Sequence, residues 1–330
     1  MLKDKVILIT GGTGSFGQKF TRALIAGHKP KKIIILSRDE FKQHQMSKSI
    51  SSKDFPVRYF LGDIRDKDRL YRAFEGVDYV VHAAALKQVP ALEYNPTEAV
   101  KTNVVGADNI VDAAIDMGVK KVIALSTDKA VNPINLYGAT KLVAEKIFIA
   151  ANAYGGGKVK FSVVRYGNVV GSRGSVIPFF LDLNKQGKDE FPITDQRMTR
   201  FWMTLEQSVD LVIKALEESV GGEVFVPKIP SMKIVDLAKA INPDCRFKII
   251  GIRPGEKVHE TLISEDESHS VRIFDGIYVI LPQFFVEDEV YKKYEKFPLV
   301  PADFVYKSDK NEKWLTSQDL EKLLEVFEYA

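Results

Sequence analysis

The 330-residue sequence predicts an α/β fold, a doubly wound parallel sheet followed by a smaller C-terminal domain. Three observations predict it. Short apolar runs alternate with segments of helical spacing as far as residue 165. A glycine-rich turn joins the first run to the first helical segment. Beyond residue 166, Pro178, Pro192, Pro227, Pro230, Pro243, Pro254 and Pro282 break the alternation into shorter elements.

Taken in order, Val6–Thr10, Ile33–Leu36, Val57–Leu61, Tyr79–His82, Val122–Leu125 and Ser162–Val164 are unbroken apolar or nearly so. Strands of a parallel sheet covered on both faces have this composition. Phe16–Gly27, Asp68–Glu75, Asn95–Met117 and Tyr137–Ala153 carry helical spacing and good helix formers. Right-handed crossovers then build residues 1–165 into one domain. Residues 166–330 form a second, with segments able to return to the first, packed over the carboxyl ends of the strands where such folds bind ligands.

Composition narrows the class. Apolar residues make up 45% and charged residues 28%, which is globular rather than disordered. The net charge is only +3 and basic residues are interleaved with acidic ones, so no nucleic-acid partner is expected. Cys245 is the single cysteine, which excludes an intramolecular disulfide. Met1–Lys5 leads straight into a strand, and no apolar stretch reaches the roughly 20 residues of a membrane span, so a cytoplasmic protein without a membrane partner is expected. His28, His44, His82, His259 and His269 are scattered. The pair His259-Glu260 lacks a second ligand at helical spacing, and no metal is expected.

The first strand ends in Thr10-Gly11-Gly12-Thr13-Gly14-Ser15-Phe16-Gly17, and a helix follows. Glycines at 11, 14 and 17 permit a tight turn, admit a pyrophosphate close to the backbone and let helix meet strand, with the helix N-terminus facing the phosphates. The domain is therefore expected to be of Rossmann type, with Gly11, Thr13, Gly14, Ser15, Phe16 and Gly17 around a dinucleotide. At the end of the second strand an NAD site tends to carry a carboxylate; here stand Ser37, Arg38 and Asp39, with Lys42 one turn on. Arg38 offers a cationic plane to adenine and charge to a 2′-phosphate, which favours NADP, while Asp39 pulls toward NAD. Asp63 and Ile64 after the third strand should flank the adenine, and Ala83 and Ala85 after the fourth provide small residues where backbone meets cofactor.

Tyr137 and Lys141 are four apart at a helix start and share a face. A lysine cation near the phenol favours phenolate and lowers the tyrosine pKa from about 10, so the pair can take a proton from an alcohol as hydride leaves its carbon. The fifth strand ends in Ser126-Thr127, and Thr127 can offer a hydroxyl to the same alcohol.

With Gly11-x-x-Gly14-x-x-Gly17, Ser126-Thr127 and Tyr137-x-x-x-Lys141 together, the whole chain resembles the extended short-chain dehydrogenase/reductase family, whose members mostly act on nucleotide sugars. Sugar-nucleotide dehydratases of that family carry Asp-Glu after the threonine, an acid for the 6-hydroxyl and a base for the C5 proton; here stand Asp128 and Lys129. This pair resembles the group of 4,6-dehydratases that invert C5. The stretches 84–90, 165–169, 171–175, 198–201 and 253–257 are similar to that group too. The resemblance implies UDP-N-acetylglucosamine as substrate, a place at the first step of pseudaminic acid synthesis, NADP as resident cofactor, and a homo-oligomer, dimer or higher and as large as a hexamer. It implies catalytic roles for Thr127, Asp128, Lys129, Tyr137 and Lys141. Lys129 would have to work as a neutral amine, which requires burial, Lys141 and cofactor charge to depress its pKa.

On the substrate side, Asn168 resembles the diphosphate-contacting asparagine of the family, and Arg173, Arg253, Glu256 and Lys87 are expected near the nucleotide or sugar. The rival enzymes are a 4-epimerase and a dehydratase that retains C5. A silent NADP-binding sensor is the rival outside enzymology, and it would not need Asp128, Lys129, Tyr137 and Lys141 together.

Overall fold

The computed structural model describes residues 1–170, 176–284, 288–316 and 318–320. The first half supplies β1 (Val6–Thr10), β2 (Lys32–Ser37), β3 (Val57–Leu61), β4 (Tyr79–His82), β5 (Lys121–Leu125) and β6 (Lys160–Val164). Between them run α1 (Ser15–Gly27), α2 (Glu40–Ser49), α3 (Lys67–Phe74), α4 (Val89–Tyr94), α5 (Pro96–Val100), α6 (Gly106–Asp116) and α7 (Leu136–Tyr154). The second half adds β7 (Asn168–Val169), α8 (Val176–Lys185), β8 (Glu190–Ile193), β9 (Thr199–Met203), α9 (Leu205–Glu218), β10 (Val224–Pro227) and β11 (Ser231–Lys233). It continues with α10 (Ile234–Ile241), β12 (Arg246–Ile249), β13 (Thr261–Ile263), β14 (Val271–Phe274), β15 (Ile277–Ile280), α11 (Asp288–Tyr294) and β16 (Tyr306–Lys307).

The large sheet runs β14-β15-β10-β6-β5-β4-β1-β2-β3. From β10 to β3 all neighbours are parallel, and β15 and β14 close the other edge antiparallel. This is the doubly wound α/β architecture expected. Alternate residues of the strands point to opposite faces, and each face is covered. On one, Leu8, Val80, Val122 and Val163 pack with Ile110 of α6 and Phe148 of α7. On the other, Ile7, Ile9, Val81 and Ile123 pack with Phe20 and Leu24 of α1 and Val212 and Leu216 of α9. β1 lies between β2 and β4, so the chain direction across the sheet switches there, and a crevice opens beyond the carboxyl ends of β1 and β4. The smaller sheets β11-β9-β7, β12-β8 and β13-β16 are not hydrogen-bonded into the large one, though Phe201, Leu262 and Tyr306 join its core. Phe180, Phe191, Trp202 and Leu237 form a third core there.

α2 and the segment Asn95–Met117 both differ from the sequence expectation. α2 is a helix although its apolar residues form no stripe: Phe41 is exposed and Met46 buried. The segment Asn95–Met117 is not one helix. It is α5 and α6 joined by a π-turn at Lys101–Val105, a device common at functional sites. The turn aims Asn103 sideways: its amide accepts from Leu86 N at 2.9 Å and donates to Leu86 O at 2.9 Å and Thr140 Oγ1 at 3.0 Å. One side chain thereby ties the loop after β4, which carries Lys87, to α7, which carries Tyr137.

Candidate active site

The crevice is a cavity of about 690 Å³, within the range of small-ligand and cofactor sites. Its floor is the glycine turn. Gly11 has φ +65°, a left-handed conformation that disfavours a side chain, and a Cβ there would lie 2.9 Å from the backbone of Ala84. A Cβ on Gly17 would lie 2.4 Å from the carbonyl oxygen of Gly12, so only glycine lets α1 start this close to β1. Gly14 occupies the N-cap and offers no side-chain acceptor, which leaves the first N–H groups of α1 for an anion. Thr13, Ser15 and Phe16 complete this wall.

Beyond β2, Ser37, Arg38, Asp39 and Lys42 line the same cavity. Asp39 caps α2 by accepting from Lys42 N at 2.9 Å and pairs with Lys42 Nζ at 2.7 Å, which holds its carboxyl below the usual carboxylate range. Its charge is thus already taken up locally. Arg38 is half exposed and only 3.6 Å from Asp63, whose main partner is Arg65. Asp63, Ile64, Ala83 and Ala85 all reach the cavity wall. Thr102 Oγ1 and Ser126 Oγ, on residues that line it, are buried with no hydrogen-bond partner among the described residues. Two orphaned hydroxyls, a cradle that a Cβ would fill and an uncapped helix N-terminus all fit a bound dinucleotide.

At the carboxyl end of β5 a short 3₁₀ turn, Asp128–Ala130, is capped by Thr127. Thr127, Lys129, Tyr137 and Lys141 line the cavity, whereas Asp128 lies fully buried behind it. Asp128 Oδ1 accepts from Thr127 Oγ1 and from Lys129 Nζ, each at 2.9 Å. Its other oxygen, Oδ2, is buried without a partner. α7 is aimed by Asn135, whose carboxamide oxygen caps Gly138 N at 2.8 Å. A Cβ on Gly138 would lie 2.0 Å from Lys129 O, so a glycine one residue after Tyr137 lets the helix press against the Asp128-Lys129 turn.

Two electrostatic expectations change. Burial does work to lower the Lys129 pKa, but the Asp128 and Glu260 carboxylates outweigh it, and the amine titrates well above the ordinary lysine value. The resting group is an ammonium, not the neutral amine expected. Tyr137 titrates above 10 rather than below it, because burial dominates, and the cation acting on its phenol is Lys129 rather than Lys141. Lys141 itself is lowered to about 8 by burial, against the opposing pull of Glu145.

Glu260 is the residue the sequence did not bring to this site, where it had entered only as half of a His-Glu pair. Its Oε1 is 3.7 Å from Lys129 Nζ and 3.8 Å from Arg200 Nε. Of the expected substrate contacts, Lys87 and Asn168 line the cavity. Arg253 and Glu256 do not; they pair with each other at 3.6 Å on a loop whose Gly255 carbonyl accepts from Asn135 at 2.8 Å. Arg173 lies outside the described residues.

Known proteins resemble this chain in sequence and in fold. The profile of the family described as "Polysaccharide biosynthesis protein" matches residues 7–282. The chain belongs to that family. This agrees with the extended short-chain dehydrogenase/reductase character read from its motifs. A protein of Campylobacter jejuni named UDP-N-acetylglucosamine 4,6-dehydratase (inverting) is 54% identical over 326 residues, covering 97% of each chain. A protein of Rickettsia akari named UDP-glucose 4-epimerase is 43% identical over 346 residues, covering 100% of this chain and 98% of its own. Among solved structures, Pen from Bacillus thuringiensis superimposes with a TM-score of 0.90 at 37% identity over 100% of both chains. DesIV, a dTDP-glucose 4,6-dehydratase from Streptomyces venezuelae, shares the fold at a TM-score of 0.70 and 23% identity, over 77% of this chain and 86% of its own.

Proposed function

We propose that this protein is a UDP-N-acetylglucosamine 4,6-dehydratase that inverts C5, with NADP as its resident cofactor. The observation that carries the reading is the Asp128–Lys129 ion pair at 2.9 Å, built into a turn that also meets the start of the Tyr137 helix. An epimerase that only oxidises and reduces C4 has no use for an acid and a base beside its tyrosine. The inverting dehydratase of Campylobacter jejuni, at 54% identity, supports the same choice.

Gly11, Gly14, Gly17 and the α1 N-terminus would hold the pyrophosphate, and Ser37, Arg38 and Lys42 the adenosine end, where the half-exposed Arg38 favours a 2′-phosphate. When bound, the cofactor would supply a hydride acceptor for the C4 hydrogen and a hydride donor for C6. Tyr137, raised above its ordinary pKa and so a phenol at rest, must first release its own proton to solvent; as the phenolate it takes the proton of the 4-hydroxyl, with Thr127 beside it. The ketone formed at C4 acidifies the C5 proton, since the carbanion is an enolate. One proton moving from Lys129 to Asp128 across their hydrogen bond converts the resting ion pair into amine and carboxylic acid, the two forms elimination requires. Lys129 then takes the C5 proton while Asp128 protonates the departing 6-hydroxyl, and both return to their resting charges. The proton that Tyr137 took equals the one C5 regains from its opposite face, so the net loss is one water.

On this reading Asn168, Lys87 and Arg173 serve the sugar diphosphate, with Arg253 and Glu256 at the nucleotide end. The protein acts in the cytoplasm as a homo-oligomer, at the first step of pseudaminic acid synthesis for surface or flagellin glycosylation. Incubation with UDP-N-acetylglucosamine in deuterium oxide tests it by proton NMR. A 6-deoxy-4-keto sugar carrying deuterium at an inverted C5 is expected. An intact C6 hydroxyl with inverted C4 would make it the 4-epimerase that the Rickettsia akari relative suggests, and deuterium at an unchanged C5 the retaining dehydratase.

A further inference from the structure

We infer that Glu260 is a positioning residue for Lys129, holding its ammonium from behind the cavity wall and, with Arg200, setting the pH range over which the Asp128–Lys129 pair works. The inference rests on the dehydratase reading above.

The geometry is that of a buried carboxylate with little else to do. The Glu260 side chain is 3% exposed, and its Oε2 has no hydrogen-bond partner among the described residues. Its backbone is fixed on both sides by Ser308, whose hydroxyl accepts from Glu260 N at 2.9 Å and whose N–H donates to Glu260 O at 2.9 Å. A carboxylate taken out of water this far is costly unless charge compensates it. The compensation comes from Lys129 at 3.7 Å and Arg200 at 3.8 Å. Arg200 does not depend on Glu260 for its place, because Nη1 already donates to the carbonyls of Thr199 at 2.7 Å and Val258 at 3.1 Å. Lys129 is the member that lines the cavity. An ammonium has three donors: one goes to Asp128, the second faces Glu260, and the third is left for the cavity that Lys129 lines.

The charged and titratable groups around Lys129 come from every side. Asp128 precedes it in its own turn, Glu260 and Lys257 lie on the segment before β13, and Arg200 stands on β9. Lys87 follows β4 and Tyr137 begins α7. The two carboxylates hold the amine's proton and Arg200 works against them. When Lys129 takes a proton from C5, Glu260 stabilises the cation formed, and it does so without touching the sugar.

The test compares the full-length protein with Glu260→Gln, which keeps shape and removes charge, and with Arg200→Gln, which removes the opposing charge. Reduction of the bound nicotinamide on adding UDP-N-acetylglucosamine reports C4 oxidation, and deuterium entry at C5 reports Lys129. For Glu260→Gln, C4 oxidation should stay within about twofold while C5 exchange falls about tenfold. The alkaline limb of C5 exchange should move down by about one pH unit. Arg200→Gln should move that limb up, and it carries the test alone should Glu260→Gln not fold. Limbs that coincide with the wild type overturn the inference. So does a parallel loss of C4 oxidation and C5 exchange, the mark of a merely structural residue. A wild-type protein giving neither product nor C5 exchange would instead overturn the dehydratase reading itself.

Discussion

Arg165 and Glu145 meet inside the protein through two parallel hydrogen bonds, Nε to Oε1 at 3.1 Å and Nη2 to Oε2 at 2.7 Å. Glu145 stands one turn after Lys141 on α7. The same guanidinium reaches Glu267 through two more bonds, at 3.0 and 2.9 Å, and the Leu262 carbonyl at 3.0 Å. One buried cation thus clamps the tyrosine–lysine helix to the second half of the chain. Removing one acid leaves a buried charge half paired, so Glu145→Ala should lower the urea-unfolding free energy by about 3–5 kcal/mol. In Glu145→Gln the Lys141 pKa should fall below its value of about 8, because the carboxylate that holds its proton is gone.

The two halves of the chemistry should separate by mutation. Tyr137→Phe should suppress reduction of the bound nicotinamide by about a hundredfold or more. Lys129→Met should abolish deuterium entry at C5 and slow the first step much less, through loss of the cation that acts on the Tyr137 phenol. Stopped-flow absorbance and NMR on the same samples check both, and a Lys129→Met protein with full turnover would remove Lys129 from the mechanism.

Arg38 should decide the cofactor. It stands half exposed at the cavity rim, with its nearest acid, Asp63, at 3.6 Å and chiefly engaged by Arg65. Arg38→Glu should weaken NADP binding about tenfold or more, in line with a lost charge-assisted contact to a 2′-phosphate, and leave NAD binding little changed. Fluorescence titration with each dinucleotide measures this. Equal weakening of both would remove Arg38 from the choice.

His82 makes stability depend on pH. It is buried at the end of β4, where its Nδ1 meets Thr10 Oγ1 at 2.8 Å. Burial, aided by the Lys141 charge, lowers its pKa to about 3. The unfolded chain binds this proton near pH 6.5, so stability is full above that pH and lost as pH falls toward 3. By pH 5 the loss should be about 2 kcal/mol. Urea midpoints at pH 7 and 5 test it against His82→Gln, which should lack this part of the dependence.

The sheet and the cofactor turn were legible because local rules govern them. Apolar runs such as Ile33–Leu36 have one stable use in a chain this size, and Gly11, Gly14 and Gly17 carry a backbone requirement in their identity. Tyr137 and Lys141 were legible because helical spacing is a local rule as well. α2 was not, since its polar surface leaves no stripe to read and a cap at Asp39 starts it. The π-turn at Lys101–Val105 escaped because a shift in backbone hydrogen bonding leaves the side-chain pattern nearly untouched. The charge state of Lys129 escaped for a third reason. Asp128 is its neighbour in sequence, but Glu260 reaches it only through the packing of β13 against the turn, and no spacing rule connects the two.

The return of β10, β14 and β15 to the large sheet has a consequence in time. When residue 165 has been synthesised, the turn, the tyrosine and the Asp128–Lys129 pair all exist, yet Glu260, Arg200 and Glu267 have not been made. At ordinary elongation rates the ribosome needs on the order of ten seconds more to reach the end of β15. Until β10 is made β6 presents an open edge, and Arg165 waits longer still for Glu267, one of its acids. Assembly of this fold is therefore late, and a chain released early carries Asp128, Lys129 and Tyr137 without the surroundings that set their charges.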